Sequence, residues 1–177
     1  MAKLIFLLFS GFILVQPAGI VPLKVTRHEV AFTIRNAGLG VNGFFERLDA
    51  SMEFDPASLE QSRISASVDV STVKTGIELR DKHLLGREYF DAARFPLIRM
   101  ASKNIKALSR NKYEGVFTIV VRDVSKDVTV PFSVSRKGRG LLFRSDFRIN
   151  RRDFGVGKES IILSDDVDVT VTIVTTE

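Results

Sequence analysis

Residues 141–149 read LLFRSDFRI and residues 167–173 read VDVTVTI. In the first stretch Leu141, Phe143, Phe147 and Ile149 share one face while Arg144, Asp146 and Arg148 share the other. In the second, Val167, Val169, Val171 and Ile173 alternate with Asp168, Thr170 and Thr172. A period of two, apolar against polar, marks a strand with one face in a core and the other in water. The same period recurs upstream in Val30, Phe32 and Ile34; in Ala50, Met52 and Phe54; in Ile64, Ala66, Val68 and Val70; in Phe117, Ile119 and Val121; and in Val128, Val130, Phe132 and Val134. Turn formers separate the runs at residues 38–43, Asp55-Pro56, residues 123–126 and Lys137-Gly138-Arg139-Gly140, as in a meandering antiparallel sheet. About eight such strands make a barrel or a sandwich.

With 177 residues, 45% hydrophobic and 27% charged, the chain has the make-up of one globular domain plus a short extra segment. The absence of cysteine removes disulfides, thiolate metal sites and cysteine nucleophiles, and the only histidines are His28 and His83. A formal charge of +5 permits anionic partners without demanding nucleic acid. Its rings are mostly apolar: 14 phenylalanines stand against 2 tyrosines and no tryptophan. Lys3, the apolar run from Leu4 to Val15 and the small residues through Gly19 read as a signal peptide over residues 1–19, the apolar run falling short of the ~20 residues of a spanning helix. A buried N-terminal helix or a membrane anchor is the alternative. On the first reading the exported, soluble domain occupies residues 20–177, with no later stretch apolar enough to cross a membrane.

Between Thr75 and Pro96 the alternation stops. Thr75 and Glu78 have capping-box spacing and Gly86 can end a helical turn, so a short helical insertion is expected near residues 76–92, as a lid or a plug. Gly38, Gly40 and Gly43 spell the dinucleotide fingerprint, but no helix begins within them, which favours a glycine-rich hairpin or bulge. There is no G-x-S-x-G elbow and no paired histidine spacing, so neither a serine triad nor a metal site is expected. Asp165 and Asp166 are adjacent acids of the kind that usually face solvent. The basic residues Arg136, Lys137, Arg139, Arg144, Arg148, Arg151 and Arg152 could form a nucleic-acid stripe, but interrupting acids and the scarcity of stacking rings favour a solvated face. In the insertion, Arg80 and His83 could hold an anionic head group; alternatively Asp81 fixes one of them and ties the helix to the barrel. Asn150 to Gly155 carries the same pair of readings, with a corner network as the structural one.

Val30-x-Phe32-x-Ile34, Val41-x-Gly43-x-Phe45, Phe54-Asp55-Pro56, Arg80-Asp81-x-His83-Leu84, Phe90-Asp91, Phe95-Pro96 and Asn150-Arg151-x-Asp153-Phe154-Gly155 follow one another in an order that resembles the YceI-like family across residues 24–177. The family's usual His-Ser pair is His28-Glu29 here, and its Gly-x-Thr-Lys-Pro turn after Val121 is Asp123-Val124-Ser125-Lys126-Asp127. The resemblance implies an all-β, antiparallel, up-and-down lipocalin-like β-barrel that binds isoprenoid or fatty amphiphiles in the periplasm. It further implies a homodimer, and neither a catalytic site nor a cofactor. On this expectation the hydrocarbon tail lies against Phe32, Ile34, Phe45, Met52, Phe54, Val68, Phe117, Ile119, Phe132, Phe143, Phe147 and Val169, with Arg80 and His83 at the mouth. An enzyme or stress-response protein acting on a small lipophilic molecule through Arg80 and His83 is the alternative. No metal, cofactor or nucleic-acid partner is expected.

Overall fold

The computed structural model describes residues 20–176, so the signal peptide expected over residues 1–19 lies outside the described residues. The strands are β1 (Lys24–Asn36), β2 (Leu39–Phe45), β3 (Leu48–Glu53), β4 (Arg63–Asp69), β5 (Val73–Lys74), β6 (Leu97–Ser109), β7 (Lys112–Val121), β8 (Val124–Lys137), β9 (Gly140–Asn150) and β10 (Leu163–Thr176), with one α-helix, α1 (Glu78–Leu84). They form a single antiparallel sheet in the order β3-β4-β6-β7-β8-β9-β10-β1-β2-β5. The sheet curls back on itself: the Leu23 N–H donates to the Met52 carbonyl at 2.7 Å, which brings β3 against the start of β1.

β2 and β3 act as one strand broken by a corner. The first half pairs with β1 and the second with β4. At the corner the amides of Glu46 and Arg47 leave the ladder, and both donate to the Thr72 hydroxyl at 3.2 Å. Taken with the two-residue length of β5, this accounts for an expectation of about eight strands against ten observed.

β6 has no counterpart among the strands expected from alternation, because a bulge between Ser102 and Asn104 switches the face on which its apolar residues lie. Of the glycines taken for a turn, only Gly38 makes one. It follows Ala37 in a two-residue hairpin with φ of 49° and 80°, the primed geometry that matches strand twist. Gly40 and Gly43 belong to β2, where Gly43 faces Phe32 and a Cβ would come within 2.3 Å of the ring. β2 runs antiparallel to β1, which excludes the dinucleotide-binding geometry.

One end of the barrel is closed by rings. Phe54 lies edge-on to Tyr113 at 5.1 Å and to Phe143 at 5.4 Å, and Tyr113 stacks on Phe132 at 5.4 Å. Met52, 1% exposed, packs in the same cluster. At the opposite end a smaller cluster joins Phe45, Val68 and Val73 to Leu84, Leu85 and Phe90 of the insertion.

Asp69 caps the short 3-10 turn between β4 and β5, accepting from the Ser71 N–H at 2.9 Å and the Ser71 hydroxyl at 2.6 Å. The Ser71 hydroxyl, opposed by partial desolvation and helped by the Ser71 amide and nearby Arg47, holds its carboxyl below the usual range. A depressed pKa contributes stability above the unfolded value of ~3.9, which is lost as pH falls through the folded one. Asp69→Asn is therefore expected to destabilise the protein near neutrality and to match the parent in stronger acid, as read by urea titrations across that window. An equal difference at both ends of the range contradicts the assignment.

Candidate functional site

The two ends of the barrel differ in what faces the axis. On β7 the inward residues Tyr113, Gly115, Phe117, Ile119 and Val121 are all buried. On β1, β9 and β10 the inward Phe32, Ile34, Phe147, Ile149, Val167, Val169 and Val171 are only half-buried, although the alternation points them to the interior. These side chains look onto open space. A cavity of about 660 Å³ lies between this wall, the ring cluster and the insertion, within the ~300–1,000 Å³ of ordinary ligand sites.

Thirteen of the fourteen residues expected to contact a ligand line this cavity: Phe32, Ile34, Phe45, Met52, Val68, Arg80, His83, Phe117, Ile119, Phe132, Phe143, Phe147 and Val169. Phe54 is the exception. It sits beneath the floor, wedged among Tyr113, Phe132 and Phe143, and seals the end of the barrel. The sequence reading missed Ile98 and Met100 because they lie on the unrecognised β6, and Val30, Val41 and Val171 line the same wall.

Three segments frame the mouth: the β1–β2 hairpin, the insertion and residues 155–163. They are joined by backbone bonds, from the Ala37 N–H to the Ile162 carbonyl at 2.7 Å and from the Gly157 N–H to the Glu88 carbonyl at 2.8 Å. The insertion is less helical than expected, a seven-residue helix followed by turns, and Ile77 is its N-cap without a side-chain bond. Thr75 does something else. Its N–H donates to the Asp81 carboxylate at 2.8 Å, and Arg80 Nε donates to its hydroxyl at 2.7 Å. The Arg80 Nη2 and the Thr75 carbonyl make a further bond. Asp81 and Arg80 thus hold α1 against the end of β5, while exposed His83 rests edge-on to Tyr89 at 5.0 Å. Asp81→Asn is expected to cost about 1–2 kcal/mol, whereas His83→Ala stays within about 0.5 kcal/mol of the parent in thermal melts. The reverse ranking contradicts this division.

The Asn150–Gly155 corner is a network around Arg151, 4% exposed. Its guanidinium donates to the carbonyls of Ser164 at 2.9 Å and Val156 at 2.8 Å, and to Asp165 at 2.7 Å. The Asn150 side chain caps the 3-10 turn that follows, and Phe154 is buried against the barrel. Phe95, at the far end of the insertion, lies under the guanidiniums of Arg94 and Arg122 at 5.0 and 5.9 Å. Arg122, at φ 57°, and Asp123 form the tight β7–β8 turn.

The basic residues do not form a stripe. Arg136, Lys137 and Arg139 lie at the β8–β9 hairpin by the ring cluster, while Arg151 and Arg152 are at the opposite end. Arg148 is paired with Asp168 at 2.7 Å, and that bond lowers the Asp168 pKa. Among the described residues, no group of three or more His, Asp or Glu could hold a metal ion. No described helix is long and apolar enough to cross a membrane.

An up-and-down antiparallel barrel, ring-sealed at one end and hollow behind a lid at the other, defines a lipocalin-like protein. The model of the YceI-like domain matches residues 23–175, and the chain belongs to that family. It is 29% identical over 153 residues to a UPF0312 protein of Pseudomonas fluorescens, covering 79% of this chain and 77% of that one. Among solved structures it resembles Burkholderia cenocepacia BcnA with a TM-score of 0.81 and 25% identity, covering 84% of this chain and 96% of that one. It also resembles a polyisoprenoid binding domain from Saccharophagus degradans with a TM-score of 0.68, covering 88% and 97% of the two chains; at 14% identity this likeness concerns the fold.

Proposed function

We propose that the protein binds the hydrocarbon tail of one long-chain amphiphile, a polyisoprenoid or fatty acid derivative, inside its barrel, and carries or sequesters it outside the cytoplasm. The observation that carries this reading is the half-buried apolar wall of β1, β9 and β10 around an unfilled cavity of about 660 Å³. At about 30 Å³ per water-sized group, that space holds roughly twenty methylenes. Each methylene removed from water contributes ~0.8 kcal/mol, so a tail of about ten carbons offsets an association cost in the middle of the ~4–15 kcal/mol range. The polyisoprenoid binding domain that shares this fold supports the same ligand class. Export is supported by the reading of residues 1–19. Arg80, on which the enzyme alternative relies, donates to the Thr75 hydroxyl and carbonyl.

A chain-length series of n-alkanols and linear polyprenols, titrated against the purified protein, tests the proposal. Affinity is expected to rise roughly fourfold per added methylene and to level off near twenty carbons, where the cavity is full. Affinity independent of chain length would overturn it.

A further inference from the structure

Gly43 and Gly115 stand where the alternation calls for an inward side chain. Gly43 lies between Val41 and Phe45 on the inner face of β2, and Gly115 between Tyr113 and Phe117 on that of β7; both are buried. Glycine weakens a strand, and inside one it marks a place that something else approaches closely. At both positions a phenylalanine ring makes that approach. A Cβ on Gly43 would stand 2.3 Å from Cζ of Phe32 and 2.8 Å from each Cε, and a Cβ on Gly115 would stand 2.6 Å from Cε2 of Phe117. Both rings therefore recline on the barrel wall, in the room a side chain would fill, instead of projecting across the lumen.

Phe32 is the ring with somewhere else to go. It pairs with Gly43 across the β1–β2 ladder and is half-buried on the cavity wall. The three atoms nearest the Gly43 Cβ position all belong to the ring's tip, whereas at Gly115 the Asn104 carbonyl oxygen also stands 3.1 Å away. Phe45 lies 5.7 Å from Phe32 on one side and the paired backbones of β1 and β2 lie behind it, so the cavity is the open direction. A methyl group at position 43 would turn the ring through its side-chain torsions into that space. We infer that Gly43 is a positioning residue that sets the capacity of the cavity, by holding the Phe32 ring against the wall and out of the volume a hydrocarbon tail occupies. The inference rests on the cavity reading and adds to it a determinant of tail length that acts through Phe32.

The test titrates n-alkanols of increasing length against the parent, the Gly43→Ala variant and the Gly43→Ala/Phe32→Leu double variant. A ring turned into the lumen takes the room of about three methylenes, so affinity for Gly43→Ala is expected to level off about three carbons sooner than for the parent, with the longest alkanols bound about fiftyfold more weakly. Leucine has no atoms where the ring's tip meets Gly43, so the double variant is expected to return to within about one carbon of the parent. A folded Gly43→Ala variant that keeps the parent's levelling point overturns the inference, as does a shortfall that leucine does not restore. If Gly43→Ala fails to fold, the double variant decides. Folding recovered together with the parent's levelling point upholds the inference, and a double variant that also fails to fold assigns the glycine to the strand itself and overturns it. A readout without ligand separates this from the cavity reading: one α proton of Gly43 is expected upfield in the NMR spectrum of the parent, under the ring current of Phe32, and at an ordinary position in the Phe32→Leu variant. Absence of that shift overturns the inference. A parent that shows the shift yet takes up no alkanol upholds the reclined ring and strikes the cavity reading.

Discussion

Arg151→Met is expected to cost about 3 kcal/mol of folding stability, lowering Tm by about 10 °C, although it replaces one long side chain by another. The cause is what the guanidinium does where it is buried. Its donors satisfy the carbonyls of Val156 and Ser164 and the carboxylate of Asp165, three groups from two segments that otherwise have no reason to meet. Each buried acceptor left without a donor costs roughly 1–3 kcal/mol, and partial access of water at Ser164 and Asp165 keeps the total near the low end of the sum. Methionine preserves the apolar packing of the stem, so the loss reads the hydrogen bonds. Arg151→Lys is expected to recover less than half, because an ammonium cannot reproduce the planar fork. Denaturant titration decides the matter; a change within about 0.5 kcal/mol for Arg151→Met would show that the corner holds without its hub.

The second large effect concerns binding. Val169 stands midway along β10 between Phe32 of β1 and Phe147 of β9, and all three half-buried side chains face the cavity. Val169→Trp places an indole in the empty space. Strands accept tryptophan readily and the site has room, so stability is expected to stay within about 1 kcal/mol of the parent. The ring takes the place of about four methylenes of tail, which is worth ~3 kcal/mol, or about a hundredfold in Kd. Unchanged affinity for a long alkanol with a folded variant would mean that the tail lies elsewhere.

The alternation of LLFRSDFRI and VDVTVTI made β9 and β10 legible, and with them the lumen wall, because a period of two assigns faces without reference to anything distant in sequence. Features that depend on partners far along the chain were harder to read. β6 was hidden by its bulge, and β2 by glycines that make room for the Phe32 ring as well as a turn. Phe54 shares the phase of Met52, so the sequence places it on the inward face. Only the arrival of Tyr113, Phe132 and Phe143 from other strands shows that it seals the floor. At the mouth, the spacing of Thr75 and Glu78 suggested a capping box, yet the hydroxyl of Thr75 is taken by Arg80 and Asp81. Arg151 fits both a row of cations and a corner network in the sequence, and its burial and bonds to Val156, Ser164 and Asp165 place it in the second.

Organic extraction of the protein as isolated from its host, followed by mass spectrometry, addresses the hollow interior most directly. One amphiphile per chain, with a hydrocarbon tail long enough to fill the space above Phe132 and Phe143, is the predicted result. An extract without lipid, from a protein that also fails to take up long-chain alkanols, would contradict the account.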